Sequence, residues 1–168
     1  MPKIEKIKKR HHLKKKEQKA EIDRIENALG CVVKELDEKA QLETGILDDG
    51  TRILMLKNEI LFFEKNGTLF PSLHALLKGM VIIPKVAVDM GAIRYVVNGA
   101  DIMRPGITKI DDNISENSIV AIVDEKHGKP LAVGLAMMDS VSMREVTKGK
   151  AVRSIHYVND HLWDFTKG

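Results

Sequence analysis

Between Lys14 and Leu29 the apolar residues Ile22, Ile25 and Leu29 recur at helical spacing against Lys and Glu, and Gly30 stands where helices commonly stop. The pattern predicts an amphipathic helix with a cationic start. From Cys31 to Leu69 it changes to short apolar runs, "CVV", "RILML" and "ILFF", separated by "DDG", "KNE" and "KNG". Those separators carry hairpin turn chemistry, so a small antiparallel sheet is expected. Ser72 is placed to cap a short helix through Leu77, which Lys78 and Gly79 end.

The stretch "MVIIPKVAVD" reads as extended chain because Pro84 forbids a helix running through it, and a domain boundary is expected near residues 80–85. Beyond it Asp89 can cap a helix and Gly99 can stop one. "SIVAIVD" and "PLAVGLAMM" are apolar on both faces, as buried strands of a small barrel are. Ser142 and Glu145 have the spacing of a capping box for one more short turn, and "VRSIHYV" alternates like a strand. The expected fold class is α+β, with an α+β domain over residues 1–82 and a barrel-like domain over 84–168.

A chain of 168 residues with 43% hydrophobic and 30% charged residues can bury a core. None of its apolar runs approaches the ~20 residues of a membrane helix, so no membrane partner is expected. The start "MPKIEKIKKRHHLKKK" lacks the apolar run and small-residue cleavage site of a secretory signal. Cys31 is the single cysteine; it reads as a buried, inert thiol, and with no disulfide framework nothing argues against a reducing compartment, so the cytoplasm is the default expectation. Charge changes the picture more. Residues 1–24 hold ten Lys/Arg against Glu5, Glu17, Glu21 and Asp23, a net of +6 that leaves −3 for the other 144. Such a segment either neutralises nucleic-acid phosphates or is a solvated helix face.

Catalytic chemistry finds little support. His11 and His12 are adjacent but have no Cys, His or acidic companion at zinc-site spacing, so no metal is expected. There is no nucleophile elbow or phosphate-binding loop, and Gly91, Gly99 and Gly106 are spaced too widely for a dinucleotide fingerprint. Asp48/Asp49 and Asp111/Asp112 lie in turn-like surroundings where aspartates satisfy backbone donors. No catalytic residue and no cofactor are expected.

Asp89-Met90-Gly91-Ala92, a helix, and then Gly99-Ala100-Asp101-Ile102-Met103-Arg104-Pro105-Gly106 resemble the start of a PUA domain, the RNA-binding module named for pseudouridine synthases and archaeosine transglycosylases. The likeness runs on through "SIVAIV", "AVGLAMM" and "IHYVNDHLWDF". The first half, with "LFFEKNGTLFPSLHALLK" and "KKRHHLKKK", resembles the pre-PUA domain of archaeal proteins related to the eukaryotic malignant T-cell-amplified sequence family. The resemblance implies a small pre-PUA α+β domain followed by a PUA β-pseudobarrel. It also implies a noncatalytic RNA-binding protein that contacts rRNA or tRNA on the small ribosomal subunit in initiation, reinitiation or recycling. The chain has no module resembling the initiation-factor-like domain of density-regulated protein, so an initiation-factor-like protein partner stays an open expectation. The alternatives are an RNA-modification enzyme or its RNA-targeting subunit, and a protein-interaction adaptor.

Chemistry at the motif agrees with RNA. Gly91 and Gly106 let the backbone approach phosphate or ribose, with Ala92 and Pro105 beside them, and the helix expected after Asp89 adds positive potential at its start. Arg94 and Arg104 can supply charge or stack on a base. Lys85 and the basic segment's Lys8, Lys9, Arg10, Lys14, Lys15 and Lys16 complete the candidate RNA-binding set.

Overall fold

A computed structural model of the chain describes residues 6–31, 33, 34, 36 and 39–167. Glu5 of the basic segment and Val32 of "CVV" lie outside the described residues. The chain divides into two compact units, residues 1–82 with 161–168, and residues 83–160. Each unit has its own sheet, and the fold is α+β.

The first unit opens with strand β1 (Ile7–His12), followed by helix α1 (Lys15–Leu29). Gly30 closes α1 at φ 68°, a left-handed conformation that costs glycine little. Strands β2 (Glu43–Leu47), β3 (Arg52–Leu56), β4 (Glu59–Lys65) and β5 (Thr68–Pro71) then form an antiparallel meander, with β1 added at the β2 edge. The separators act as their chemistry demands. Lys57 and Asn58 both have positive φ, as do Asn66 and Gly67, which is the turn geometry that matches strand twist. Ser72 caps α2 (Leu73–Leu77), its hydroxyl accepting from the Ala75 N–H at 3.2 Å. Phe62, Phe70, Ile53, Leu54, Leu73 and the α1 residue Ile25 are fully buried, and Phe63 stacks on Phe70 with ring centroids 5.4 Å apart.

In the second unit come β6 (Lys85–Val88), a 3₁₀ turn (Met90–Ala92), α3 (Ile93–Val96), β7 (Ile102–Met103), a second 3₁₀ turn (Arg104–Gly106) and β8 (Ile107–Ile110). They are followed by β9 (Ile119–Asp124), β10 (Pro130–Ala136), α4 (Ser140–Glu145) and β11 (Lys150–Tyr157). The strands form one mixed, nearly closed sheet in the order β7-β11-β10-β9-β6-β8, with β6 and β9 parallel and the other pairs antiparallel. Val86, Val120, Ile122, Ala132 and Val152 fill its interior at 0% exposure.

Several expectations are corrected. The basic segment is in part a strand: Ile7 supplies the single half-buried side chain of β1 and lies over Gly45, where no Cβ intervenes. Neither Cys31 nor Val33 is in a strand; that place in the sheet belongs to β2. Cys31 is only half-buried. Asp139, not Ser142, caps α4, its carboxylate accepting the Ser142 N–H at 2.8 Å. The last helix, α5 (His161–Lys167), has no counterpart in the periodicity reading, and it groups with the first unit, where Trp163 stacks on His74 at 4.6 Å. A second domain reaching to residue 168 therefore overstates that unit. No helix among the described residues is long and apolar enough to cross a membrane.

Gly134 marks the tightest approach in the second sheet. A Cβ there would sit 2.5 Å from the Arg153 carbonyl oxygen and 2.6 Å from Val152 Cγ1. Gly134→Ala should destabilise the protein by about 1–3 kcal/mol through forced strand displacement. A denaturant midpoint equal to the parent's would contradict this packing.

Candidate nucleic-acid interface

Strand β6 buries Val86 and Val88 and ends at Asp89, whose two hydrogen-bonding groups then organise the next elements. The Asp89 carboxylate accepts the Ala92 N–H at 2.8 Å, starting the 3₁₀ turn that runs into α3. Its own N–H donates to the Gly106 carbonyl at 2.9 Å, bringing in the second turn. A Cβ on Gly106 would lie 3.4 Å from the Ala92 Cβ, so the two stretches meet at methyl distance. Gly99 ends the α3 region at φ 88°, and a Cβ there would lie 2.7 Å from the Tyr157 ring. Only glycine satisfies both the dihedral and the aromatic contact.

These constraints leave an open cleft of about 450 Å³ between the 3₁₀ turn, α3 and residues 102–106. Its wall is mainly apolar, with Ala92, Tyr95, Ile102, Met103, Pro105 and Gly106 among the lining residues. Tyr95 is 54% exposed, so its ring is accessible from solvent at the cleft. The Arg94 guanidinium lies 4.8 Å from the Tyr95 ring centroid and donates to its hydroxyl at 2.8 Å. The pair presents a flat cationic and aromatic surface of the kind on which unpaired bases stack.

Arg104 does something else. Its Nε donates to the Met143 carbonyl at 2.6 Å, and its Nη1 to the Ile107 carbonyl at 3.1 Å. Its N–H donates to the Gly149 carbonyl at 2.8 Å, so this arginine ties the second turn to α4 and the loop before β11. Asp101 fixes the neighbouring edge, accepting the Ser154 N–H and the Lys150 ammonium, each at 2.8 Å. Burial opposes ionisation of that carboxyl, but the Lys150 and Ser154 hydrogen bonds outweigh it and hold its pKa below the usual range.

In the first unit the basic segment is sorted by its partners. Arg10 is bound to Glu43 at 2.5 Å and also to Asn58; the hydrogen bond to Glu43 raises the arginine's pKa and lowers the glutamate's. Farther along α1, Arg24 and Glu21 form a network with Arg52 of β3 and Glu64 of β4. Lys8, Lys9, Lys14, Lys15 and Lys16 are exposed and make no ion pair among the described residues. Lysines at a helix start oppose the macrodipole by about 0.3–1 kcal/mol each, which Glu17, accepting the Lys14 N–H at 3.0 Å, offsets only in part. No group of acidic, His or Cys side chains among the described residues could hold a metal ion.

Residues 84–158 match the PUA domain model, and residues 9–79 match a domain of unknown function (DUF1947). The chain is 40% identical over 163 residues to an uncharacterized protein of Methanocaldococcus jannaschii, covering 95% of this chain and 98% of that one. It is 34% identical over 137 residues to translation machinery-associated protein 20 of Saccharomyces cerevisiae, covering 78% and 76%. The chain belongs to this family of PUA-domain proteins. Malignant T-cell-amplified sequence 1-B of Xenopus laevis is 38% identical over 115 residues, 66% of this chain and 64% of that protein. A solved PUA-domain structure from Aeropyrum pernix superposes with a TM-score of 0.82 at 26% identity, covering 95% of this chain and 91% of that one. The PUA match points to RNA as the ligand class.

Within this PUA-domain protein, the structure gathers Gly91, Ala92, Pro105 and Gly106 into the cleft and sets Arg94 at its rim through Tyr95. Arg104 and Arg10 have their guanidinium groups engaged within the protein, and Lys85, exposed at the start of β6, is not among the cleft's lining residues. Lys15 and Lys16 line a separate groove along α1. Sequence reasoning missed Tyr95 and Met103. The signal for Tyr95 was an aromatic beside an arginine, on a helix whose next residue, Val96, is buried.

Arg104→Ala should lower stability by about 1.5–3 kcal/mol, while Arg94→Ala should change it by less than about 0.5 kcal/mol. Equal effects in chemical denaturation would contradict the separate roles. Asp101→Asn should lower Tm at neutral pH. Because the folded carboxyl titrates below its unfolded value, its stabilisation is present above about pH 4 and is lost as pH falls further, so the gap should close in acid. A gap unchanged down the pH series would contradict the pairing.

Proposed function

We propose that this protein is a noncatalytic RNA-binding factor of the translation apparatus, contacting rRNA or tRNA on the small ribosomal subunit. The exposed Arg94–Tyr95 surface at the mouth of the apolar PUA cleft carries this reading. An unstacked nucleotide enters the cleft, its base lying against Tyr95 and its backbone passing the small residues Gly91, Ala92 and Gly106. Lys8, Lys9 and Lys14 contribute phosphate contacts that carry no sequence information. The relative named for the translation machinery supports the setting. The two carboxylates in the cleft's lining, Asp89 and Asp101, accept from the Ala92 N–H and from the Ser154 N–H and Lys150 ammonium, so in this reading they hold the fold and the rest of the lining offers a stacking surface and apolar walls.

Fluorescence anisotropy with tRNA and with a random-sequence competitor tests the division of labour. Tyr95→Ala should cost about 1–3 kcal/mol of stacking and reduce the preference for the physiological RNA. Gly91→Glu should do the same by placing a carboxylate at the cleft mouth. Replacing Lys8, Lys9 and Lys14 by Gln should weaken all RNAs alike and flatten the salt dependence, by a slope of about 0.7–0.9 for each phosphate no longer neutralised. Unchanged discrimination in a folded Tyr95→Ala protein would overturn the reading.

A further inference from the structure

Another concavity among the described residues lies along the first half of α1, in the unit that does not hold the PUA cleft. It encloses about 520 Å³. Its apolar surface comes from the half-buried Ile22, which shares a face of α1 with the fully buried Ile25 three residues on, and from Leu36, itself 7% exposed. The one buried amide in the lining is already used: Gln18 donates to the Ala40 carbonyl and accepts the Leu42 N–H at 3.0 Å. The floor therefore asks for apolar groups. Its rim asks for anions. Lys15, Lys16 and Lys19 line it, and among the described residues none of them is in an ion pair and Asp23 is the one carboxylate in the lining.

We propose that this groove docks an acidic protein segment that sets apolar side chains on Ile22 and Leu36 and carboxylates against Lys15, Lys16 and Lys19. The contrast with the PUA cleft decides between protein and RNA. The cleft has an exposed aromatic ring with an arginine beside it, which suits base stacking, whereas the groove has aliphatic side chains and no ring among its described lining residues. Phosphates would meet the lysines but leave the floor unused; an amphipathic acidic helix or strand uses both. The charge network of Glu21, Arg24, Arg52 and Glu64 explains why the attraction is confined to the first half of α1, since farther along the helix the cations are already neutralised.

The test uses the full chain and two fluorescein-labelled synthetic peptides of one Glu/Leu composition. One places the leucines on a single helical face and the other scatters them. The ordered peptide should bind about tenfold more tightly than the scattered one. Lys15→Glu/Lys19→Glu should weaken it by about tenfold, and Ile22→Ser by about fivefold, while Ile22→Ser leaves oligouridylate binding unchanged. Lys16→Glu/Lys19→Glu, which alters only exposed side chains, repeats the charge test should Ile22→Ser lower the melting temperature. Equal affinity for the two peptides, absence of saturable binding, or a parallel loss of oligouridylate binding in Ile22→Ser would overturn the proposal. The Tyr95→Ala result bears only on the PUA cleft, so either idea can fail without the other.

Discussion

The second unit depends on the double hydrogen bond of Asp89. A single residue at the end of a buried strand uses its side chain to start the turn at Met90–Ala92 and its main chain to hold the carbonyl of Gly106. That clasp, with the adjacent pairing of Val88 and Ile107, sets the two turns at methyl distance and the wall that carries Tyr95 beside Met103 and Pro105. Arg104 and Asp101 extend the clasp outward to α4 and β11. The backbone of the candidate surface is therefore held by hydrogen bonds, and the Arg94, Tyr95 and Met103 side chains stand out from it into solvent. A preorganised cleft of this kind loses little conformational entropy when a nucleotide enters.

Charge is organised as deliberately as packing. An excess of +6 over residues 1–24 would be a diffuse field if every cation were free. Instead Arg10 is held by Glu43, and Arg24 joins Arg52 in a network with Glu21 and Glu64, its pKa raised chiefly by the Glu64 hydrogen bond. What stays available is a small set of lysines on β1 and at the start of α1. Arginines are used where a planar fork can be satisfied within the protein, and lysines, more strongly hydrated and mobile, are left to the solvent. The two candidate surfaces differ accordingly: one offers an aromatic ring beside an arginine, the other lysines beside aliphatic side chains.

The elements most legible in the sequence were those in which pattern, turn and cap agree. The helix ending at Gly30, the β3–β4–β5 hairpins, the Ser72 cap and the two apolar strands β9 and β10 all combine such signals. Strand β1 was hidden because an edge strand with one half-buried residue has no alternation to read; its partner's Gly45, which admits Ile7, is the only trace. Helix α4 starts one turn earlier than its Ser and Glu imply, since Asp139 competes for the same donor. At the candidate site the glycines and the proline were visible as types. The role of Arg104 was not, because a guanidinium bound to the carbonyls of Met143 and Ile107 depends on elements remote in sequence. Tyr95 was obscured by its valine neighbours, which are more buried than it is.

The central claim is that RNA lies against the PUA cleft, with its base at Tyr95. Ultraviolet crosslinking of the full chain to 4-thiouridine-labelled tRNA, followed by mass spectrometry of the digested protein, tests it directly. The account predicts nucleotide adducts on the peptides that carry Tyr95 and Met103. Adducts confined to the peptides of β1 and α1, with none in residues 89–106, would contradict it.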